Sequence, residues 1–344
     1  MNIIVLCGGL SAERDVSISS GTQIADALSA LGHNVALVDL FFGYQEDYGD
    51  PQEIFTRRQE RRPARVSDTE PDLEYIKSLR VQDNDSKIGD NIIEICRAAD
   101  IVFLALHGEE GENGKLQAVF DIQGIKYTGS GYLGSALAMN KQVAKALFQT
   151  AGIDTPRGIT VKRGAAPYEN IGFPCVVKPC SYGSSVGTSI VQSADEYPAA
   201  LEGAFRYEDL VIVEEYIDGR EFTVGVFSGK AMPVIEIIPK TGFFDYKNKY
   251  QAGFTDEICP ADIPEELKLR LQVISESVYE VLQIEVYCSI DYKQGTNGII
   301  YCLEANTLPG MTPASLIPQM AAVMGLSYGE LCEEIIRVSL EKYR

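Results

Sequence analysis

Three oxygen-bearing side chains late in the chain, Asp291, Glu304 and Asn306, are spaced to act together. They fall in two runs rich in β-branched and aromatic residues, Tyr287-Cys-Ser-Ile-Asp291-Tyr and Ile300-Tyr-Cys-Leu-Glu304. The runs flank Gly295-Thr-Asn-Gly298, which predicts an antiparallel hairpin. Side chains alternate faces along a strand, so Glu304 and Asn306 point the same way and Asp291 reaches them from the partner strand. Hard oxygen donors on one sheet face suit Mg²⁺, which binds through a few carboxylates and leaves positions open for substrate phosphates. Two acids alone would more commonly mark a solvated sheet edge. The apolar residues around these, and the Pro309-Gly310 turn that follows at once, favour the metal.

Other residues upstream fit a phosphate ligand. The Gly183-Ser184-Ser185-Val-Gly187 turn can present backbone N–H groups and hydroxyls, because glycine lets the main chain approach closely. It lacks the Gly-Lys-Ser/Thr of a Walker A loop, and a Gly-Ser stretch alone is more often just a turn. Lys141 and Lys178 add the cations that phosphate oxygens need. Leu210–Ile217 reads as a buried strand ending in the acids Glu214 and Glu215, and Gly219-Arg-Glu221 starts the next unit. Of Glu214 and Glu221, one can accept from an adenine amino group and the other from ribose hydroxyls. With Asp291, Glu304 and Asn306, the set describes an ATP site between two α/β units.

A chain of 344 residues has room for two or three domains to position these groups. No apolar stretch is long enough to span a bilayer, and Met1–Leu6 runs into a strand pattern rather than a signal peptide, so the expectation is no membrane partner and a cytoplasmic location. The eight cysteines stand singly, without a Cys-x-x-Cys pair, and two histidines are too few to complete a zinc site; reduced core thiols are expected. A net charge of -19 argues against nucleic-acid binding, which needs a basic face. An anionic nucleotide must then be met by local lysines and Mg²⁺.

Asn2–Cys7, a Gly8-Gly9 turn, an amphipathic segment to Leu31 and a strand at Asn34–Leu40 open an α/β domain with a parallel sheet. The turn does not match Gly-x-Gly-x-x-Gly, so a dinucleotide site is a weak reading. Phe41 to Gly89 is polar and carries Arg57, Arg58, Arg61, Arg62 and Arg65, which reads as a solvated insertion rather than an anion site. A helix at Asn91–Ala98 and a strand at Asp100–Leu106 lead to His107, on a Gly-rich loop where ligands of parallel sheets bind. A helix is predicted from Met139 to Ala151, another starting at the Ser193–Glu196 capping box, and a third with Leu267, Leu271, Ile274, Val278 and Val281 on one stripe. A capping box at Ser327–Glu330 starts a terminal helix. The expected division is 1–139 with the insertion 41–89, then 140–214, then 215–344.

Read in order, these motifs carry a family resemblance. They are Gly8-Gly-Leu-Ser-Ala-Glu-Arg14, His107-Gly108, Tyr127-Thr-Gly-Ser-Gly131, Val177-Lys-Pro179, Gly183-Ser-Ser-Val-Gly187, Gly219-Arg-Glu-Phe-Thr-Val224, Asp245-Tyr-x-x-Lys249-Tyr250 and Leu303-Glu-Ala-Asn-Thr-x-Pro-Gly310-Met-Thr312. The chain resembles the D-alanine–D-alanine ligases of the ATP-grasp superfamily, from Cys7 to beyond Ser327, interrupted mainly by the polar insertion. Each motif alone is weak; together they are highly specific.

The resemblance implies a fold of class α/β, with an N-terminal parallel-sheet domain followed by a two-part ATP-grasp fold with antiparallel sheets. It assigns Lys141, Lys178, Ser184, Glu214, Glu215, Ile217 and Glu221 to ATP, and Asp291, Glu304 and Asn306 to two Mg²⁺ ions, with Mn²⁺ as an alternative. Ser184 and Tyr250 would link to the acid of the first loop, taken as Asp15, which receives the first substrate's ammonium. Lys249 would meet the transferred phosphate and the Gly310 N–H the oxyanion. Ser315 and the Leu316 backbone would hold the second substrate's carboxylate, with His107 also at the substrate. The implied reaction phosphorylates one D-alanine carboxylate to an acylphosphate, which a second D-alanine attacks, for peptidoglycan precursor. Such an intermediate must be kept from water, and the Phe243–Tyr250 loop with the Gly183–Gly187 turn is expected to close over it. A homodimer is also expected. Two positions depart from the family: Asp15 stands where it carries Glu, and Ser289 where it carries Arg.

Overall fold

Strand β1 (Asn2–Cys7), apolar and buried from Ile3 on, lies between β2 (Asn34–Asp39) and β3 (Ile101–Leu104) in a three-stranded parallel sheet. The computed structural model describes residues 1–57, 59, 61, 66–67, 71–80, 85–165, 171–183, 185–240 and 254–344. Helix α1 (Arg14–Ala30) covers the sheet, burying Val16, Ile24 and Leu28. Ser17 ties the loop to the strands: its hydroxyl accepts from the Gly8 N–H (2.8 Å) and donates to the Ala105 carbonyl (2.7 Å).

The segment after Leu40 is better anchored than its composition predicts. A 3₁₀ turn at Pro51–Thr56 buries Ile54 and Phe55 in the core, and α2 (Leu73–Ser78) follows. Arg61 is not a solvated charge; its guanidinium donates to the Ala25 carbonyl and the Ser29 hydroxyl, both at 2.9 Å. Arg58, Arg62 and Arg65 lie outside the described residues. Beyond them run α3 (Ile92–Ala98), β3, the short α4 (Glu109–Glu112) and α5 (Lys115–Gln123).

The helix expected from Met139 to Ala151 is present, preceded by a further helix that the sequence reading does not include. Helix α6 (Tyr132–Met139) ends at Asn140, whose side-chain oxygen caps α7 (Lys141–Thr150) by accepting from the Val143 N–H (3.1 Å). A four-stranded antiparallel sheet follows, in the order β4 (Gly158–Lys162), β7 (Leu210–Glu215), β5 (Cys175–Pro179), β6 (Ser189–Val191). Helix α8 (Tyr197–Ala204) begins later than the Ser193 capping box predicted. Pro198 in its first turn needs no N–H partner there, and Glu196 instead accepts from the Gln192 N–H (2.8 Å).

The third sheet is antiparallel with five strands, in the order β10 (Thr255–Ile258), β9 (Lys230–Pro239), β8 (Gly219–Phe227), β11 (Tyr287–Gly295), β12 (Ile300–Asn306). Its two faces divide by strand period. Phe222, Val224, Cys288, Ile290 and Tyr292 pack under α9 (Glu265–Val281), leaving Thr223, Ser289 and Asp291 on the other face. The stripe on α9 is centred on Leu267, Leu271, Ser275 and Val278; Ser275 is tolerated there because its hydroxyl pairs with Tyr292 Oη (2.8 Å) and donates to the Leu271 carbonyl (2.7 Å). Helices α10 (Leu316–Val323) and α11 (Tyr328–Glu341) then return to the first sheet, where Leu331, Cys332 and Ile335 share a core with Ile3 and Leu104. The Ser327–Glu330 capping box starts α11. All eight cysteines are free thiols, seven of them buried. Among the described residues no helix is long and apolar enough to cross a membrane.

Candidate active site

The hairpin forms as its turn residues dictate, and its register sets Asp291 directly opposite Glu304 and Ser289 opposite Asn306. Asp291 is held from both sides: Thr223 Oγ1 donates to one carboxylate oxygen (2.6 Å) and Asn306 Nδ2 to the other (3.3 Å). Glu304 pairs with Lys141 Nζ at 3.0 Å. Among the described residues no group of three or more His, Cys, Asp and Glu side chains is gathered as metal ligands. The candidate set is instead two carboxylates and one carboxamide, all hard oxygen donors. Ser289, on the same face and 5 % exposed, is flanked by Asn306 and by Gly225.

Facing the hairpin is a cleft of about 340 Å³, lined by Lys141, Lys178, Glu214, Glu215, Ile217, Glu221, Asp291 and Glu304 among others. Eight of the residues singled out in the sequence therefore meet in one concavity. The carboxylate of Glu214 is buried and gripped by two lysines, Lys178 at 2.5 Å and Lys145 at 2.6 Å. Burial alone would raise its pKa, but the two ammonium groups outweigh burial and hold it below the usual carboxylate range. Lys178 engages one of its oxygens and Lys145 the other, so Glu214 anchors both lysines at the cleft. Lys145 was missed in the sequence, although it stands one helical turn from Lys141. Lys293 was missed as well; it pairs with Glu221 at 2.9 Å, two residues beyond Asp291 on the same strand face.

On the N-terminal side the acid that approaches the Gly108 and Gly183 loops is Glu13. Helix α1 begins at Arg14, so Asp15 sits half-buried in its first turn while Glu13, 8 % exposed, turns into the loop. Its Oε2 stands 3.1 Å and 3.3 Å from the positions a Cβ would take on Gly108 and Gly183. Beside it, Glu112 accepts from the Gly108 N–H (2.8 Å) and the Leu308 N–H (3.1 Å). Burial first, and then the charge of Glu13, push the Glu112 carboxyl up to about 7. His107 is buried, which pulls its imidazole below the ordinary range against the opposing influence of Glu13. Its Nδ1 lies 2.9 Å from the Leu308 carbonyl, so Nδ1 carries the proton and Nε2 faces Ser20 Oγ at 3.3 Å. Gly310 packs against Ser315, whose Oγ would be 3.0 Å from a Cβ at 310; that hydroxyl accepts from the Thr312 N–H (3.0 Å), and Leu316 opens α10 next to it. Ser184, Lys249, Tyr250 and the whole Phe243–Tyr250 loop lie outside the described residues.

Comparison with known proteins decides the family. Residues 2–130 match the model of the D-Ala-D-Ala ligase N-terminus and residues 147–337 that of its C-terminus. The chain belongs to the D-alanine–D-alanine ligase family. The ligase of Lacticaseibacillus casei (strain BL23) is 43 % identical over 346 residues, spanning 100 % of this chain and 97 % of that protein. The ligase of Pediococcus pentosaceus is 42 % identical, over 98 % of this chain and 97 % of its own length. Among solved structures, the D-alanine–D-alanine ligase from Bacillus anthracis complexed with ATP superposes with a TM-score of 0.76 at 31 % identity, covering 99 % of this chain and 98 % of that one. Like the other D-alanine–D-alanine ligases, the chain has the ATP-grasp fold, here a parallel-sheet N-terminal part followed by two antiparallel sheets.

Proposed function

We infer that this protein is an ATP-dependent D-alanine–D-alanine ligase that makes the dipeptide for peptidoglycan synthesis. The observation that carries the reading is the single cleft in which Lys141, Lys178, Glu221, Asp291 and Glu304 converge, in a chain whose full length matches ligases of that name. Nucleotide binds between the units 140–214 and 215–344. Lys141 and Lys178 move from their acid partners to phosphate oxygens, Ile217 borders the base, and Glu221 accepts from ribose. Asp291, Glu304 and Asn306 fit Mg²⁺ by their donor chemistry, and the ion, when bound, supplies positive charge to the triphosphate. Positioning and charge neutralisation are what phosphoryl transfer chiefly requires.

Glu13 receives the ammonium of the first D-alanine. One carboxylate oxygen of that substrate attacks the γ-phosphorus, ADP departs, and an acylphosphate remains. The Ser315 hydroxyl and the Leu316 backbone hold the second carboxylate. The amine of the second D-alanine then attacks the acyl carbon, the Gly310 N–H faces the developing oxyanion, and phosphate leaves as the amine loses a proton. His107, neutral and fixed by Leu308, adds no charge beside the substrates.

Ser289 in place of the family's Arg makes the second substrate the point to test. Phosphate release and product mass should be followed with ATP, Mg²⁺ and D-alanine, then with D-serine or D-lactate as the second substrate. Dialanine with stoichiometric phosphate is expected, and Glu304→Ala should lower its formation by at least about 10³-fold as the phosphate charge loses its counter-ion. A faster mixed product would reassign the second substrate. No phosphate release with any of them would overturn the enzymatic reading.

A further inference from the structure

We propose that Lys293, paired with Glu221, is a nucleotide-specificity residue that selects a ribose carrying both hydroxyls; this rests on the reading of the cleft as an ATP site. Cross-strand register sets the two residues directly opposite each other on β11 and β8, where opposite charges attract. Their charged ends are 2.9 Å apart, with side chains 20 % and 12 % exposed, so the pair lies in the wall of the cleft rather than on the open surface.

The location points to the sugar. Along β11, Lys293 is two residues, about 7 Å, from Asp291 and its proposed metal and phosphates. The cleft also has apolar walls, with Val176, Ile190, Ile217 and Leu303 suited to a base. A ribose joining base to phosphates passes between the two, alongside Lys293 and Glu221. The other lysines near the acids are committed elsewhere, Lys141 to Glu304 and Lys145 with Lys178 to Glu214.

The chemistry fits a vicinal diol. The ammonium takes Glu221 Oε2 and leaves Oε1 to accept from one ribose hydroxyl. Its remaining N–H groups donate to the neighbouring hydroxyl oxygen. A donor and an acceptor held side by side match two adjacent hydroxyls, each able to give and receive. The lysine also neutralises Glu221, which would otherwise repel the nearby triphosphate. An apolar residue at 293 would leave the carboxylate charged, freely rotating and less selective.

The test compares dissociation constants of ATP, 2′-deoxy-ATP and 3′-deoxy-ATP, by calorimetry, for the wild-type protein and for Lys293→Met, Lys293→Gln and Lys293→Arg. Wild type is expected to favour ATP over each deoxynucleotide by about tenfold, the scale of one hydrogen bond to a charged group. In Lys293→Met and Lys293→Gln the preference over the deoxynucleotide that lacks the lysine's hydroxyl should fall to within about twofold of unity, while that over the nucleotide lacking the Glu221 hydroxyl remains; Lys293→Arg should keep both. An ion pair that only braces the sheet would alter melting temperature and leave both preferences unchanged. Unchanged preferences in folded Lys293→Met or Lys293→Gln, or no preference in wild type, overturns the inference while ATP binding itself stands. Absence of ATP binding to wild type would instead sink the underlying ATP-site reading.

Discussion

Glu13 and Asp15 are two positions apart, and the start of α1 between them decides which one faces the glycine loops at Gly108 and Gly183. Glu13 precedes the helix and approaches Gly108 and Gly183; Asp15 is already in the first turn. Glu13→Gln is therefore expected to raise the KM for D-alanine about 10- to 100-fold, the loss of one charge-assisted contact, while Asp15→Asn changes it less than about threefold. Steady-state kinetics on the two variants decide it, and a larger effect at Asp15 would reverse the assignment. Sequence alone could not separate the two acids, because Glu13 makes no side-chain cap bond to its helix and so gives no capping signature. Asp291, Glu304 and Asn306 were legible because strand alternation is a local rule. Lys293 obeys the same rule and went unnoticed, its partner Glu221 lying on a strand far away in sequence. The ion pairs of Glu214 were not legible: they depend on Lys145 and Lys178 arriving from a helix and another strand.

The turn after β12 shows what an element adds to its residues. Gly310 and Ser315 are packed so closely that the 308–316 segment folds back on itself, with Thr312 Oγ1 2.8 Å from Ser315 Oγ. A Cβ at 310 would stand 3.0 Å from that hydroxyl, and Ser315 would have to yield. Gly310→Ala should lower kcat by about 10- to 100-fold through a displacement of well under 1 Å, since misplacing reacting groups on that scale is costly. ATP affinity, measured by titration, should hold within about twofold. Wild-type turnover in the alanine variant would show that this N–H does not face the oxyanion. The hairpin strands β11 and β12 before this turn, and α11 with its capping box, follow the period and cap residues of the sequence. Helix α6 was not legible because it is short and starts at Gly131 without a side-chain cap. Helix α8 was started early because a Ser-x-x-Glu pattern also fits a loop closed by Glu196.

Across the whole molecule, the loop after the N-terminal sheet and the segment after the last hairpin meet at Leu308. Leu308 donates its N–H to Glu112, while its carbonyl accepts from His107. The core that begins at Ile3 continues through Leu308 and Met311 to α11, so the site is closed by residues some 200 positions apart in sequence. Glu112 makes this junction pH-sensitive. Its carboxyl titrates near 7 in the folded chain against an ordinary value of 4.5, because burial and Glu13 disfavour the charge. The fold thus holds the proton more tightly than the unfolded chain does. The stabilisation that follows is fully present below 4.5 and is lost as pH rises through about 7, when a buried charge must be carried next to Glu13. Nucleotide- and metal-free protein should therefore melt at a lower temperature at pH 8 than at pH 5.5, once the pH dependence of other groups is removed by comparison with Glu112→Gln. The glutamine cannot ionise, so the wild-type-minus-variant difference in melting temperature should shift against the wild type over that interval, with most of the change centred near pH 7. A difference that stays flat from pH 5.5 to 8 would mean that Glu112 remains ionised throughout, with its two N–H donors outweighing burial, and the junction would then be insensitive to pH.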